Sequence, residues 1–395
     1  MMFENLTAPE ADKILRLMAM FAADTRPGKV DLGVGVYRDP QGVTPVMDAV
    51  RQAEVMIAAR QRTKSYVGLA GDPAFAKSLG GLILGDTVPA DRLATCATPG
   101  GTGAVRQVLE MTRRIAPDAV IWVPSPTWVN HNAIIGHLGQ TARNYRYYDA
   151  ATGGLDREGM LADMAQAKAG DLVLLHGCCH NPTGADLLPD DWRAVADVLE
   201  KTGAIPFIDI AYLGFAEGLE EDAFGTRHLA ARLPEVLIAA SCSKNFGLYR
   251  ERVGLCMAVT TGPAPKEAAA GIMAHLNRQS YAFPPDHGAR VVQVILDDPE
   301  LREMWSDELM LMRETMNINR AALAKALREQ TGSDRFDFLG TQRGMFSLIG
   351  ATPDQVEVLR NDHGIYVVGD GRMNVAGLTA DTIPKVARAV AQVLA

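Results

Sequence analysis

Cysteine is scarce in this chain, with five in 395 residues. So few, and an odd number, exclude a disulfide framework and suit a reducing compartment. Long apolar runs are missing too: no segment reaches the ~18 consecutive apolar residues of a membrane-spanning helix. The opening Met1-Met2-Phe3-Glu4-Asn5 lacks the basic-then-apolar layout of a signal peptide. Basic residues are outnumbered, 39 against 47 acidic, for a net charge of −8. That balance weakens any case for a nucleic-acid or anionic-membrane partner, since either needs a basic face. Internal repeats and low-complexity tracts are absent. Neither G-x-G-x-x-G nor G-x-x-x-x-G-K-[ST] occurs, which lowers the prospect of a nucleotide cofactor. The expectation is a cytoplasmic protein without nucleic-acid or membrane partners.

What is present is ordinary globular composition, 48% hydrophobic and 22% charged. At about 150 residues per domain, two domains are the first guess. Short apolar runs alternate with amphipathic stretches through the middle of the chain. Val120–Val123, Leu172–Leu175, Ile205–Asp209, Val236–Ala240 and Val253–Val259 read as strands. Their near-continuous apolarity marks burial on both faces, as in a parallel sheet. Trp192, Val195, Ala196 and Leu199 recur at helical spacing, with Pro189 suited to the start and Gly203 to the end. Val105, Val108, Leu109 and Ile115 form a second stripe. Strand–helix alternation over residues 95–260 predicts a doubly wound α/β domain. A long helix from about Pro299 to Glu329, short segments at 335–338 and 345–348, and a last helix carrying Ile383, Val386, Val390 and Val393 read as a smaller α+β domain. Where the first 45 residues pack is not evident from pattern.

Candidate chemistry clusters at strand ends, where open α/β sheets bind ligands. Ser241-Cys242-Ser243-Lys244 follows an apolar strand, and Arg252 comes soon after. A lysine walled by apolar residues is a nucleophile toward an aldehyde, and hydroxyls with an arginine suit a phosphate. Taken alone, Lys244 reads more readily as a snorkelling surface lysine, since strand-end position is only a weak pointer. Asp209 ends another strand, with Tyr212 three residues on. An aspartate is the expected partner of a pyridinium nitrogen, and a helix N-cap is the structural alternative. Gly100-Gly101-Thr102-Gly103 opens an amphipathic helix whose free N–H groups suit phosphate. His176-Gly177-Cys178-Cys179-His180-Asn181 tempts a metal reading, but no second cluster at ligand spacing exists, so no metal is expected. Trp128 could stack on a ring or fill the core. Arg278 and Arg372 have the side chain that reads carboxylates, although either alone reads as a solvated charge.

Together these blocks resemble one family. Leu32-Gly33-Val34-Gly35-Val36-Tyr37, Pro99–Gly103, Cys179–Gly184, Ser243–Tyr249 with Glu251–Gly254, and Gly371–Asn374 stand in an order similar to fold-type I pyridoxal-phosphate aminotransferases. The similarity is to the aspartate and aromatic amino acid branch, and Leu276–Pro285 looks most like bacterial aromatic amino acid aminotransferases. The resemblance implies a large cofactor-binding domain (46–310) with a mostly parallel seven-stranded sheet. It also implies an N-terminal arm and part of a small domain at 1–45, with the rest of that domain at 311–395. Lys244 would hold pyridoxal 5'-phosphate covalently and then move the substrate proton. Asp209 would pair with the ring nitrogen, supported by His131. Tyr212 and Asn181 would bond the phenolic oxygen, and Trp128 would stack on the ring. Gly101, Thr102, Ser241, Ser243 and Arg252 would serve the phosphate, with Tyr66 reaching it from the second subunit of a homodimer. Arg372 would clamp the substrate α-carboxylate, Gly35 would line the site, and Arg278 from the other subunit would meet a side-chain carboxylate. The implied reaction is ping-pong transfer of an amino group from phenylalanine, tyrosine, aspartate or glutamate to a 2-oxo acid such as 2-oxoglutarate. A narrow aspartate aminotransferase is the runner-up, and a lyase on the same fold comes next.

Overall fold

The computed structural model describes residues 2–7 and 12–394. By its internal contacts the chain divides into two units, Pro45–Asn317 with Gln342–Gly344, and Met1–Thr44 with Ile318–Thr341 and Met345–Ala395.

The larger unit is built on seven strands: β1 (Leu93–Pro99), β2 (Val120–Ser125), β3 (Thr141–Arg146), β4 (Leu172–His176), β5 (Ile205–Ile210), β6 (Val236–Ser241) and β7 (Val253–Val259). Their order across the sheet is β1-β7-β6-β5-β4-β2-β3. All neighbours are parallel except β7, which runs antiparallel to both β1 and β6. Every residue of β6 and β7 is buried, which is why their sequences are apolar without alternation. Helix α1 (Gly100–Ile115) follows β1 directly and buries Ala104, Val105, Val108, Leu109 and Met111. Ile115, expected on that stripe, is 62% exposed instead. It is the last residue of the helix, where the packed face has run out. Helix α2 (Pro189–Thr202) begins on Pro189 and stops at Gly203, whose φ of 71° is the left-handed cap that glycine adopts without strain.

In the smaller unit Val30–Asp31 pairs in parallel with Ile365–Tyr366. This pairing gives the N-terminal segment its place, and Val30 and Leu32 join a core with Leu323, Leu327, Phe336, Leu359 and Val386. β8 (Phe346–Leu348) pairs antiparallel with β9 (Arg372–Asn374). The division between the units falls inside the long helix α3 (Pro299–Thr331). Among the described residues no helix is long and apolar enough to cross a membrane.

Candidate active site

In the larger unit a cavity of about 140 Å³ opens at the carboxyl edge of the sheet. Strand register decides who meets there. His176 at the end of β4 lies opposite Asp209 on β5, and Asp209 lies opposite Ala239 on β6. Because β7 is antiparallel, its first residues pair with Pro99 and Ser241, which brings the preceding Arg252 to the same edge. Gly101, Thr102, Trp128, Asn181, Asp209, Tyr212, Ser241, Ser243, Lys244 and Arg252 all line the cavity. So do His176, Ala211 and Tyr249, whose roles the sequence did not signal. For His176 the strand-end position was the available sign.

One end of the cavity is shaped for an anion. The first turn of α1 lines it through Gly101 and Thr102, and a helix N-terminus favours anions. Its backbone is drawn close to the sheet: a Cβ on Gly101 would stand 2.7 Å from Ser241 Cβ, and one on Gly254 would stand 2.3 Å from the Gly100 carbonyl oxygen. Ser241 Oγ and Ser243 Oγ lie 3.2 Å apart. Arg252 Nη1 donates to Ser243 Oγ at 3.4 Å and to the Tyr249 carbonyl at 3.0 Å. Arg252 adopts φ 55°, a strained conformation for a residue with a side chain, which this set of contacts holds in place. Helix terminus, hydroxyls and guanidinium form a donor set suited to a phosphomonoester.

The other end is shaped for a cation. No helix starts at Asp209, so the capping role falls away. Asp209 Oδ2 lies 2.9 Å from Nε2 of His131, which is fully buried. His131 Nδ1 is 2.8 Å from Thr127 Oγ1, itself 3.0 Å from His176 Nε2. Burial first, and then the neighbouring His131, push His176 down to about 3, so its imidazole is neutral. One assignment of protons satisfies the whole chain. His176 donates to Thr127, Thr127 donates to His131 Nδ1, and His131 Nε2–H donates to Asp209. Every donor then points toward the Asp209 carboxylate.

The same cavity is lined by Lys244, with Nζ 5.1 Å from the centroid of the Tyr212 ring, and by the half-buried Trp128, edge-on to His131 at 5.1 Å. An anion cradle, an amine and a carboxylate lining one cavity fit pyridoxal phosphate group by group: phosphate, aldehyde and ring nitrogen.

Four expected site residues lie elsewhere. Tyr66 and Arg278 do not line the cavity of their own chain. Tyr66 is 83% exposed and stacks on Phe283 at 4.6 Å, and the exposed Arg278 guanidinium lies 6.0 Å from the same ring. Gly35 and Arg372 belong to the smaller unit. Arg372 is buried rather than solvated, its guanidinium 4.4 Å from the Phe346 ring centroid and Nη2 donating to the Gly33 carbonyl at 3.3 Å. Among the described residues, Cys178, Cys179 and Asp222 bring possible metal-ligand atoms together. The Asp222 oxygens, however, already accept N–H groups from Gly214, Ala216, Glu217 and Gly218.

Sheet and site together suit an α/β enzyme whose strand ends could receive a phosphorylated, cationic ring. The family model for aminotransferase class I and II matches residues 27–390. The chain is 55% identical to an aromatic-amino-acid aminotransferase of Paracoccus denitrificans, over 99% of this chain and 100% of that one. It is 43% identical to an aspartate aminotransferase of Salmonella typhi over the whole of both chains. A crystal structure of an aromatic-amino-acid aminotransferase from Burkholderia pseudomallei, covalently bound to pyridoxal phosphate, superposes with a TM-score of 0.97 at 39% identity, covering 100% of both chains. The chain belongs to the class I and II aminotransferases, enzymes that depend on pyridoxal phosphate and exchange amino groups between amino acids and 2-oxo acids.

Proposed function

We propose that this enzyme moves the amino group of aromatic (phenylalanine, tyrosine) and acidic (aspartate, glutamate) amino acids to 2-oxoglutarate or a similar 2-oxo acid, by a ping-pong mechanism in the cytoplasm. The carrying observation is that the anion cradle, Lys244 and Asp209 line one cavity. The names of the relatives at 55% and 43% identity support the two substrate classes. Pyridoxal phosphate supplies an aldehyde that exchanges amines and a protonated ring that draws electrons from the substrate Cα.

The chain's own residues divide the work. Ser241, Ser243, Arg252, Gly101 and Thr102 would bind the phosphate. Asp209, which accepts from His131, would face the ring nitrogen. Tyr212 and Asn181 would bond the phenolic oxygen, and Trp128 would cover the ring face. Lys244 would hold the cofactor covalently and, as a free amine, would take the proton from the substrate Cα. Arg372 fixes the α-carboxylate, with Gly35 lining the site, and orientation of this kind contributes several kcal/mol.

The working form is a homodimer with shared sites. Tyr66 and Arg278 stand together on Phe283, away from their own cavity, and supply the partner's phosphate and side-chain subsites. Half-reaction rates with aspartate and with phenylalanine test the reading, in the wild type and in Arg278→Leu. Removing the charged partner of a buried carboxylate should cost aspartate orders of magnitude in kcat/KM, at about 3–5 kcal/mol. Phenylalanine, which needs apolar walls only, should be unaffected or improved. Equal losses would remove Arg278 from the side-chain subsite, and a wild type inactive on phenylalanine would leave a narrow aspartate enzyme.

A further inference from the structure

The smaller unit contains two side chains that the roles above leave unused, Arg320 and Phe346. Arg320, on the part of α3 within that unit, is fully buried. A buried guanidinium is tolerated only where its donors are met. Nη2 donates to the Phe346 carbonyl at 2.7 Å, and Nη1 to Ser347 Oγ at 2.7 Å and the Leu339 carbonyl at 3.2 Å. Two of these acceptors lie on β8, a strand of three residues. Among the described residues its only strand partner is β9, with Leu348 opposite Arg372 and Phe346 opposite Asn374. A two-stranded ribbon this short does not hold its own position, so its place is set by what grips it.

The ring of Phe346 is held on two sides. It lies 4.4 Å from the Arg372 guanidinium, and a Cβ added to Gly35 would stand 2.8 Å from Phe346 Cζ. Gly35 is itself fixed, because Asn374 Nδ2 donates to the carbonyls of Val34 and Val36 at 2.6 and 2.8 Å. A guanidinium carries its donors at its edge and offers its faces to aromatic rings. A ring fixed against one face therefore sets the plane in which the edge meets a carboxylate.

We propose that Arg320 is a positioning residue for substrate binding: it clamps β8 so that Phe346 holds the Arg372 guanidinium in the plane that receives the substrate carboxylate. The inference rests on the reading of Arg372 as the carboxylate clamp. Arg320 acts through Phe346 and makes no contact with substrate.

The test uses the cofactor-loaded enzyme and 3-phenylpropionate, a monocarboxylate with no amine to react. Its Kd is measured by calorimetric titration, alongside Tm and steady-state kinetics. Arg320→Lys keeps the charge but loses the fork, and Phe346→Leu keeps the strand but loses the ring. Each should weaken the probe by about tenfold, the scale of a desolvated cation–π contact. KM should rise in step while kcat for Arg320→Lys stays within about twofold. The Arg320→Lys/Phe346→Leu double variant should match the worse single, and Arg320→Lys should add nothing in an Arg372→Leu background. Ser347→Ala, which leaves the buried charge in place, should show the same pattern at about threefold. A lowered Tm with wild-type Kd in both Arg320→Lys and Ser347→Ala would overturn the positioning role. So would an Arg320→Lys loss that persists in full without Arg372. Wild-type probe affinity in Arg372→Leu would instead overturn the carboxylate-clamp reading, and the positioning role with it.

Discussion

Replacing Asp209 with asparagine removes one charge and almost no volume. The side chain is 9% exposed, and its Oδ2 ends a hydrogen-bond chain from His176 through Thr127 and His131. Asparagine can still accept from His131, so the local packing should survive. What goes is the negative charge that would face the ring nitrogen. Removing one member of a buried ion pair costs about 3–5 kcal/mol. At about 1.4 kcal/mol per tenfold in rate, the amino-group half-reaction should slow by about 10²–10⁴. Cofactor content should remain near that of the wild type, because Ser241, Ser243, Arg252 and the α1 terminus are untouched. The assay is rapid mixing with saturating aspartate, following the cofactor absorbance, with cofactor per subunit measured after alkaline release. Thr127→Val provides the contrast. It breaks the chain but leaves the charge, at about 1 kcal/mol per hydrogen bond, so its loss should stay below about a hundredfold. A cofactor-replete Asp209→Asn protein within about tenfold of wild-type rate would refute the charge argument. A Thr127→Val loss as large as that of Asp209→Asn would refute the ranking.

Three further outcomes are expected. Lys244→Ala should stay folded and bind pyridoxal phosphate noncovalently while turnover disappears, since attachment and proton transfer reside in one amine; turnover near the wild-type rate would remove it from the mechanism. Gly101→Ala should weaken the cofactor by roughly tenfold or more, because its Cβ would stand 2.7 Å from Ser241 Cβ and overpacking costs about 1–3 kcal/mol. A raised Tm with unchanged cofactor affinity would instead mean that only the helix propensity of alanine was felt. His180 is buried against Tyr147 at 4.0 Å, and burial holds its imidazole well below the usual 6.5. The unfolded chain takes up a proton as pH falls through 6.5 while the folded chain does not. The stability is therefore complete above that pH and declines below it by up to about 1.4 kcal/mol per unit for this histidine. His180→Asn should flatten the urea midpoint against pH between 6 and 5, and an unchanged slope would locate the acid sensitivity elsewhere.

Several features were legible in the chain itself because their causes are local. Runs such as Val236–Ser241 and Val253–Val259 announce strands buried on both faces, and every residue of each is buried. Pro189 and Gly203 bracket α2 through backbone preferences that need no tertiary partner. Lys244, Asp209 and Gly101 were identifiable because strand ends carry function in this architecture. Tertiary structure decided whatever depends on register or distance. The antiparallel course of β7 brings Arg252 to the site edge, and nothing in Val253–Val259 states its direction. The parallel pairing of Val30–Asp31 with Ile365–Tyr366, more than 300 residues apart, places the N-terminal segment that no periodicity could assign. Arg372 reads as a solvated charge in sequence, yet it is buried on the Phe346 ring. The threonine that joins His131 to His176 is one of many in the sequence, distinguished only when the fold sets it 2.8 and 3.0 Å from two imidazoles. Residue type and spacing specify which groups are available. Only the closed chain, by fixing which strand lies beside which, sets the ångström-scale distances on which hydrogen bonding and charge pairing depend.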